Sequence, residues 1–300
     1  LAWESTYSGT RVYECEYRRK DGSVVPVEVS SRLTRYDQRE VLQNFVRDIT
    51  ERRQAEEQRL ELMLEKERIQ ILADFISQAS HEFRTPLTVI RTSTYILEKT
   101  SDPEQQRQKL RNIEGQVRDI ITLLDSLTLM AQLDGGGQDF QFAEVDLNGI
   151  LREVCQEMQS VFPQANPDFV FELSAAPLLL HGDDEYLKHA LHQIVENAVR
   201  HSPAGGAITI CSDQRGGSAV AEISDRGDGI RHEDLPRIFE RFFRADKAGT
   251  TRGFGLGLPI AQKIIELHQG RVEVESEAAA GSTFRIVLPL LSLTTDALSP

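Results

Sequence analysis

The sequence predicts a multidomain α+β protein: an antiparallel β meander, a helical hairpin that pairs with a second copy into a dimeric four-helix bundle, and an α/β sandwich. Three observations predict it. Residues 10–48 carry β-branched and alternating side chains at strand period, with Asp21-Gly22 as a hairpin turn. Residues 76–131 repeat apolar side chains in steps of three and four. Residues 146–290 alternate helical with strand patterns, the last strands being joined by turns.

Composition narrows the function. A chain of 300 residues has room for more than one core. Lys and Arg number 34 against 47 Asp and Glu, a net charge of −13, which argues against the clustered positive face of a nucleic-acid binder. No apolar run approaches the roughly 18 residues of a membrane span. The longest candidate, Ile286 to Leu293, contains Pro289. Cys15, Cys155 and Cys211 are widely spaced, form neither a disulfide framework nor a metal-ligand pattern, and fit a reducing, cytoplasmic compartment. The chain starts at Leu1 without a signal-peptide pattern and reads as part of a longer protein, whose own membrane attachment is left open.

The strands are Val12–Arg19, Ser23–Leu33 and Glu40–Asp48. Three strands cannot close a core alone, so residues 1–50 are expected to be the later part of a larger domain. Thr50 opens a helix, and 51–74 is dense in Glu, Arg and Gln with a thin stripe at Leu60, Met63, Leu64 and Ile71: a short coiled-coil linker. The hairpin, 75–137, follows. Its first helix carries Ile76, Ala79, Phe83, Leu87, Ile90, Thr94 and Leu97, its second Leu110, Ile113, Val117, Ile120, Leu124, Leu127 and Ala131. Such seams need other helices to cover them, which predicts a homodimer. Pro86 cannot donate to the carbonyl of Glu82, so a bend is expected there. After Asp134-Gly135-Gly136-Gly137, the sandwich occupies 138–292 and a tail 293–300. Its helices are 146–159, capped by Asp146, 184–201 and 259–269. Its strands are 168–173, 207–212, 218–224, 271–276 and 283–288.

On a wheel of 100° per residue, His81 falls roughly 160° from the centre of the first helix's apolar stripe and so faces solvent. An exposed histidine is ordinarily just solvated. Here it is followed by Glu82 and then Thr85 and Pro86 at the expected bend. A neutral imidazole attacks phosphorus well when a neighbouring carboxylate orients its other proton, and Glu82 is placed to do so.

A phosphoryl donor then needs a cradle. Asp225, Gly227 and Gly229 follow a strand, while Gly253, Gly255, Leu256 and Gly257 lead into the helix opened by Pro259. Glycines before a helix let N–H groups reach phosphate oxygens, although each cluster alone is more often a tight turn. The Asp225 carboxylate could accept from an exocyclic amine and read adenine. Beside the buried face of helix 184–201, Gln193, Asn197, Arg200 and His201 line one flank, where an amide oxygen could hold Mg²⁺. Between the clusters, Phe239, Phe242 and Phe243 interleave with Arg241, Arg244, Lys247 and Arg252. That suits a lid over a triphosphate, or an ordinary amphipathic segment.

Taken together, these motifs resemble the sensor histidine kinases of two-component systems. His81-Glu82-Phe83-Arg84-Thr85-Pro86-Leu87 resembles the H-box. Asn197-Ala198 with His201-Ser202-Pro203 resembles the N-box. Asp225-x-Gly227-x-Gly229-Ile230 and Gly253-Phe254-Gly255-Leu256-Gly257-Leu258 resemble the two glycine boxes. Ile238–Arg244 resembles the phenylalanine box, and Gly281-Ser282-Thr283-Phe284 the final strand turn. The motifs keep the family's order over roughly 72–290. Residues 10–50, with Asp48-Ile49-Thr50, are similar to the C-terminal half of a PAS sensor domain. The resemblance implies autophosphorylation of His81 from ATP, with Glu82 as acid/base, Asn197 on Mg²⁺, Asp225 on adenine and Thr283 at the nucleotide. It further implies a homodimer and transfer to an aspartate on a response regulator receiver domain. Glu82-x-x-Thr85 matches the pattern associated with dephosphorylating that partner. One departure is Gln193, where the family usually has an asparagine, so weaker or shifted metal coordination is expected. The rival readings are a nucleotide-binding dimeric scaffold or pseudokinase, favoured by Gln193 alone, and an ATPase sharing the same ATP-binding fold.

Overall fold

The computed structural model describes residues 11–37, 39–135, 140–245 and 253–291. The chain forms two compact units, divided between Ser77 and Gln78.

In the first unit, β1 (Arg11–Arg18), β2 (Val24–Tyr36) and β3 (Arg39–Asp48) pair antiparallel in sequence order. Asp21 shapes the first turn by accepting from the Ser23 backbone N–H (2.9 Å) and hydroxyl (2.6 Å). Val25, Val27 and Val29 are buried with Cys15 against them, one face of a period-2 strand. Tyr13, Tyr17, Leu42 and Phe45 stay exposed, as expected of a meander that cannot close its own core. Asp48 accepts from the backbone N–H (2.9 Å) and hydroxyl (2.6 Å) of Thr50, the first residue of α1 (Thr50–Lys99). Arg52 and Arg53 in the first turn each reach Glu14 on β1 at 2.6 Å.

α1 is one helix, in which the expected linker and first hairpin helix are continuous, and it continues through Pro86. Nothing in 51–85 interrupts it, because that stretch lacks Gly and Pro altogether. In the second unit the chain returns by α2 (Pro103–Gly135), opened by Asp102, whose side chain accepts from Glu104 N–H at 3.0 Å.

The sandwich has β4 (Ala143–Asp146), α3 (Leu147–Val161), β5 (Asp168–Glu172), β6 (Leu179–Gly182), α4 (Asp184–His201), β7 (Ala207–Arg215), β8 (Ser218–Ser224), α5 (Gly257–Leu267), β9 (Arg271–Glu277) and β10 (Gly281–Pro289). The main sheet runs β5-β7-β8-β10-β9 and is antiparallel except at β5/β7, while β4 and β6 form a separate antiparallel pair. Phe284, Ile286 and Leu288 alternate into the core under α3, α4 and α5. On the opposite face Arg285 bridges its cross-strand partners Glu222 (2.8 Å) and Glu273 (3.2 Å). Asp146 caps α3 as expected, accepting from Asn148 N–H at 3.2 Å.

α2 has a second apolar stripe besides the seam read from its periodicity. Leu123, Met130 and Leu133 are buried in the same cluster as the sandwich core, and α2 packs on α5. Phe83 of α1 lies against this cluster too. The seam residues Leu110, Val117 and Leu124 remain exposed.

Candidate active site

The acceptor side is simple. The His81 side chain is 72% exposed, and its Nδ1 lies 3.5 Å from Glu82 Oε1. That long contact orients the ring and leaves Nε2 as the nitrogen turned away from the carboxylate. Thr85, one turn on, is exposed, while Pro86 is buried. Thr88 hydroxyl donates to Arg84 carbonyl at 2.8 Å, adding a side-chain bond to the turn around Pro86.

The donor side is built around α4. Gln193, Asn197 and His201 are spaced by four, so they lie along one face, successive residues rising about 6 Å. At the C-terminal end of the strip, a Cβ on Gly227 would come within 2.0 Å of His201 carbonyl oxygen. At the other end, a Cβ on Gly257 would lie 2.5 Å from Gln193 Oε1. One helix face therefore runs between the two glycine clusters, with Asn197 midway. Its half-buried amide has no hydrogen-bond partner among the described residues. An oxygen donor of that kind fits Mg²⁺, which takes few protein ligands and keeps its waters. Gln193 instead faces His189 at 3.5 Å, amide nitrogen to ring Nε2. Burial holds His189 below the ordinary histidine range, which favours the neutral ring as an acceptor.

Asp225 is almost fully buried. Its Oδ1 accepts from the N–H groups of Gly227 (2.8 Å) and Ser282 (3.3 Å), leaving Oδ2 for a ligand amine. Burial pushes its carboxyl up, and the two N–H donors oppose that shift. Thr283 shares a 2.9 Å hydrogen bond with Ser224 hydroxyl beside it. Gly229 has φ +63, and a Cβ there would lie 2.0 Å from Glu277 carbonyl oxygen, so no other residue fits this loop.

The second cluster is tied to the phenylalanine segment. Phe242 N–H donates to Gly255 carbonyl at 2.9 Å, and Leu256 is buried. Phe239, Phe242 and Phe243 pack against the core, with Arg237 stacked 4.4 Å from the Phe243 ring centroid. α5 begins without a side-chain cap, leaving first-turn N–H groups available to an anion. Arg200 is committed elsewhere: its Nε donates to Glu196 at 2.8 Å, and its guanidinium lies 5.2 Å from the Phe162 ring centroid. Arg244 lies half-buried just after the phenylalanines, and Gly253 lies just ahead of Gly255, where a Cβ would meet nothing within 4 Å among the described residues. Lys247, Arg252 and the tail 293–300 lie outside the described residues.

Sequence reasoning missed two features. Arg241 Nη2 holds Asp134 at 2.7 Å, tying the end of α2 to the phenylalanine segment. Ser276 Oγ accepts from Ile230 N–H at 2.8 Å. Neither pairing has a local spacing signal.

Two family models match the chain. The His Kinase A (phospho-acceptor) domain matches residues 71–136. The histidine kinase-, DNA gyrase B- and HSP90-like ATPase matches 182–292. Sensor protein kinase PmrB of Pseudomonas aeruginosa is 34% identical over 71% of this chain and 45% of its own length. Sporulation kinase C of Bacillus subtilis is 31% identical over 94% of this chain and 65% of its own length. The chain thus spans about half to two thirds of these relatives. Histidine kinase ThkA, solved in complex with response regulator protein TrrA, superposes with a TM-score of 0.61 at 25% identity, covering 93% of this chain and 79% of that one. The exposed His81 beside Glu82 and the glycine-lined strip of α4 lie within the two matched modules, and the chain belongs to the sensor histidine kinases of two-component systems.

Proposed function

We propose that the protein is an ATP-dependent protein-histidine kinase that phosphorylates His81 and passes the phosphoryl group to an aspartate on a response regulator. The observation that carries this reading is His81 itself, exposed on a helix with Nδ1 directed at a carboxylate. Nε2 attacks the γ-phosphorus in line. The N–P bond forms as the bond from phosphorus to the β,γ-bridging oxygen breaks, ADP departs with the electron pair, and the Nδ1 proton passes to Glu82. Asp225 Oδ2 accepts from the adenine amine. The N–H groups at the start of α5, with Arg244, face the phosphates, while the expected lid cations Lys247 and Arg252 lie outside the described residues. Mg²⁺ held by Asn197 supplies neutralisation of phosphate charge when bound.

The exposed seam of Leu110, Val117 and Leu124 supports a homodimer through the hairpin. Thr85, exposed one turn beyond His81, supports a second activity of dephosphorylating the regulator. The kinase ThkA, solved with its response regulator, supports a receiver domain as partner. The meander of residues 11–48 supports the C-terminal half of a PAS domain as the input. No described helix is long and apolar enough to cross a membrane. Free cysteines and the use of ATP support a cytoplasmic location. A plain ATPase or a scaffold would leave His81 and Glu82 without a role.

The test is incubation with γ-labelled ATP and Mg²⁺, wild type beside His81→Gln. Acid-labile, base-stable label in wild type alone is the expected result. Label surviving in His81→Gln would overturn the reading.

A further inference from the structure

The turn between β9 and β10 is stitched to the loop Asp225–Ile230 along its whole length. Asp225 N–H donates to Ser282 carbonyl at 2.9 Å, and Ala279 N–H donates to Asp228 carbonyl at 2.6 Å. A Cβ on Gly281 would lie 2.1 Å from Asp225 carbonyl oxygen, so backbone meets backbone there as it does at Gly229. One side chain sits at the centre of this seam. Ser276 Oγ accepts from Ile230 N–H at 2.8 Å, donates to Gly281 carbonyl at 2.8 Å, and lies 2.9 Å from Ser282 Oγ.

A serine hydroxyl has one proton and two acceptor lone pairs. The Ser276 proton goes to Gly281, and one lone pair takes Ile230 N–H. Ser282 must therefore donate to the other, which saturates the Ser276 hydroxyl and orients Ser282. Ser282 N–H in turn donates to Asp225 Oδ1 at 3.3 Å, and Gly227 N–H takes the same oxygen. Ser276 thus grips the far end of the loop directly and the Asp225 end through Ser282.

We propose that Ser276 is a positioning residue for nucleotide binding, holding the Asp225–Ile230 loop on the β9–β10 turn so that Asp225 Oδ2 faces the ligand. It touches neither the phosphates nor His81, so its hydroxyl governs affinity and not the transfer step. This rests on the proposed nucleotide site, and the test separates the two.

The experiment measures ADP affinity by calorimetry, and KM for ATP and kcat for autophosphorylation, in wild type, Ser276→Ala, Ser276→Thr and Ser282→Ala. Ser276→Ala leaves Ile230 N–H unpaired and should weaken ADP binding and raise KM by about tenfold, with kcat at saturating ATP within about twofold of wild type. Ser276→Thr keeps the hydroxyl and should bind as wild type. Ser282→Ala keeps the bonds to Ile230 and Gly281, and should show a smaller loss of about threefold. Amide exchange at Ile230 in the nucleotide-free protein should quicken in Ser276→Ala but not in Ser276→Thr. Should Ser276→Ala fail to fold, Ser282→Ala and Ser276→Thr still decide. Wild-type affinity in Ser282→Ala, or a loss in Ser276→Thr as large as that expected for Ser276→Ala, would overturn the proposal. So would a fall in kcat with KM unchanged. Wild type that binds no ADP would overturn the nucleotide site itself, and this inference with it.

Discussion

The hairpin and the sandwich differ in how they treat apolar surface. In the sandwich, Phe284, Ile286 and Leu288 close against helices α3–α5 with almost no exposure. In the hairpin, Leu87, Leu110 and Leu124 are each more than half exposed, while the stripe Leu123, Met130 and Leu133 is buried against the sandwich. The sandwich closes its own core; the hairpin leaves an apolar seam exposed. That difference teaches a division of labour. On the proposed function, the nucleotide-binding half needs rigid backbone contacts such as Gly229 on Glu277, whereas the acceptor half needs a histidine in the open and a seam that a second copy would complete.

Breaking the seam should have the largest effect. Val117→Glu with Leu124→Glu places charge where each copy would bury two apolar side chains, costing about 4 kcal/mol or more per dimer, on the order of a thousandfold in dissociation constant. Sedimentation at micromolar concentration should then show monomer, while ADP binding by the sandwich persists. Dimer surviving in this variant would contradict the reading of the seam.

The sandwich breaks at its backbone contacts. Gly229→Ala forces a Cβ into Glu277 carbonyl oxygen at 2.0 Å with φ at +63, and should cost about 2–4 kcal/mol and abolish nucleotide binding. Gly205→Ala, at φ +72 with nothing within 4 Å, pays only the backbone term of about 1 kcal/mol. Equal thermal midpoints for the two would remove steric contact as the explanation.

A pH dependence sharpens the contrast further. Burial holds both His268 and His189 below their ordinary value of 6.5. In the unfolded chain they take up protons as pH falls through 6.5 while the folded sandwich resists. Their contribution to stability is therefore full above that pH and is lost progressively below it. His268 Nε2 accepts from Asp183 N–H at 3.0 Å, a bond that protonation would break. Chemical denaturation should show the sandwich losing stability between pH 7.5 and 5.5, with a flatter profile in His268→Leu. The smallest effect is expected at the Asp134–Arg241 pair. Both side chains are about one-third exposed, so Asp134→Asn should cost within about 1 kcal/mol.

Much of this architecture is legible in the sequence because periodicity records burial. The meander, the cap at Asp146 and the five sandwich strands follow from local pattern. β4 and β6 do not, since four residues each are too short to show a period. The docking stripe of α2 was hidden by the stronger seam on the same helix, because a helix with two apolar faces presents the more regular one first. Of the candidate site, Gly227 meets His201 and Gly257 meets Gln193, so the two glycine clusters border the helix face that carries Asn197. Arg200 does not join them, because Glu196 one turn back and the Phe162 ring claim it. Ser276 was invisible because its partners, Ile230, Gly281 and Ser282, meet only after the β9–β10 turn folds back over the loop.

The central claim is that the open histidine of the hairpin receives the phosphoryl group held by the closed sandwich. Locating the phosphate tests it most directly: wild-type chain incubated with ATP and Mg²⁺, then phosphorus NMR at alkaline pH and peptide mapping. One phosphorus–nitrogen species is expected, on Nε2 of His81. Phosphate on a hydroxyl residue, or on any other histidine, would contradict it.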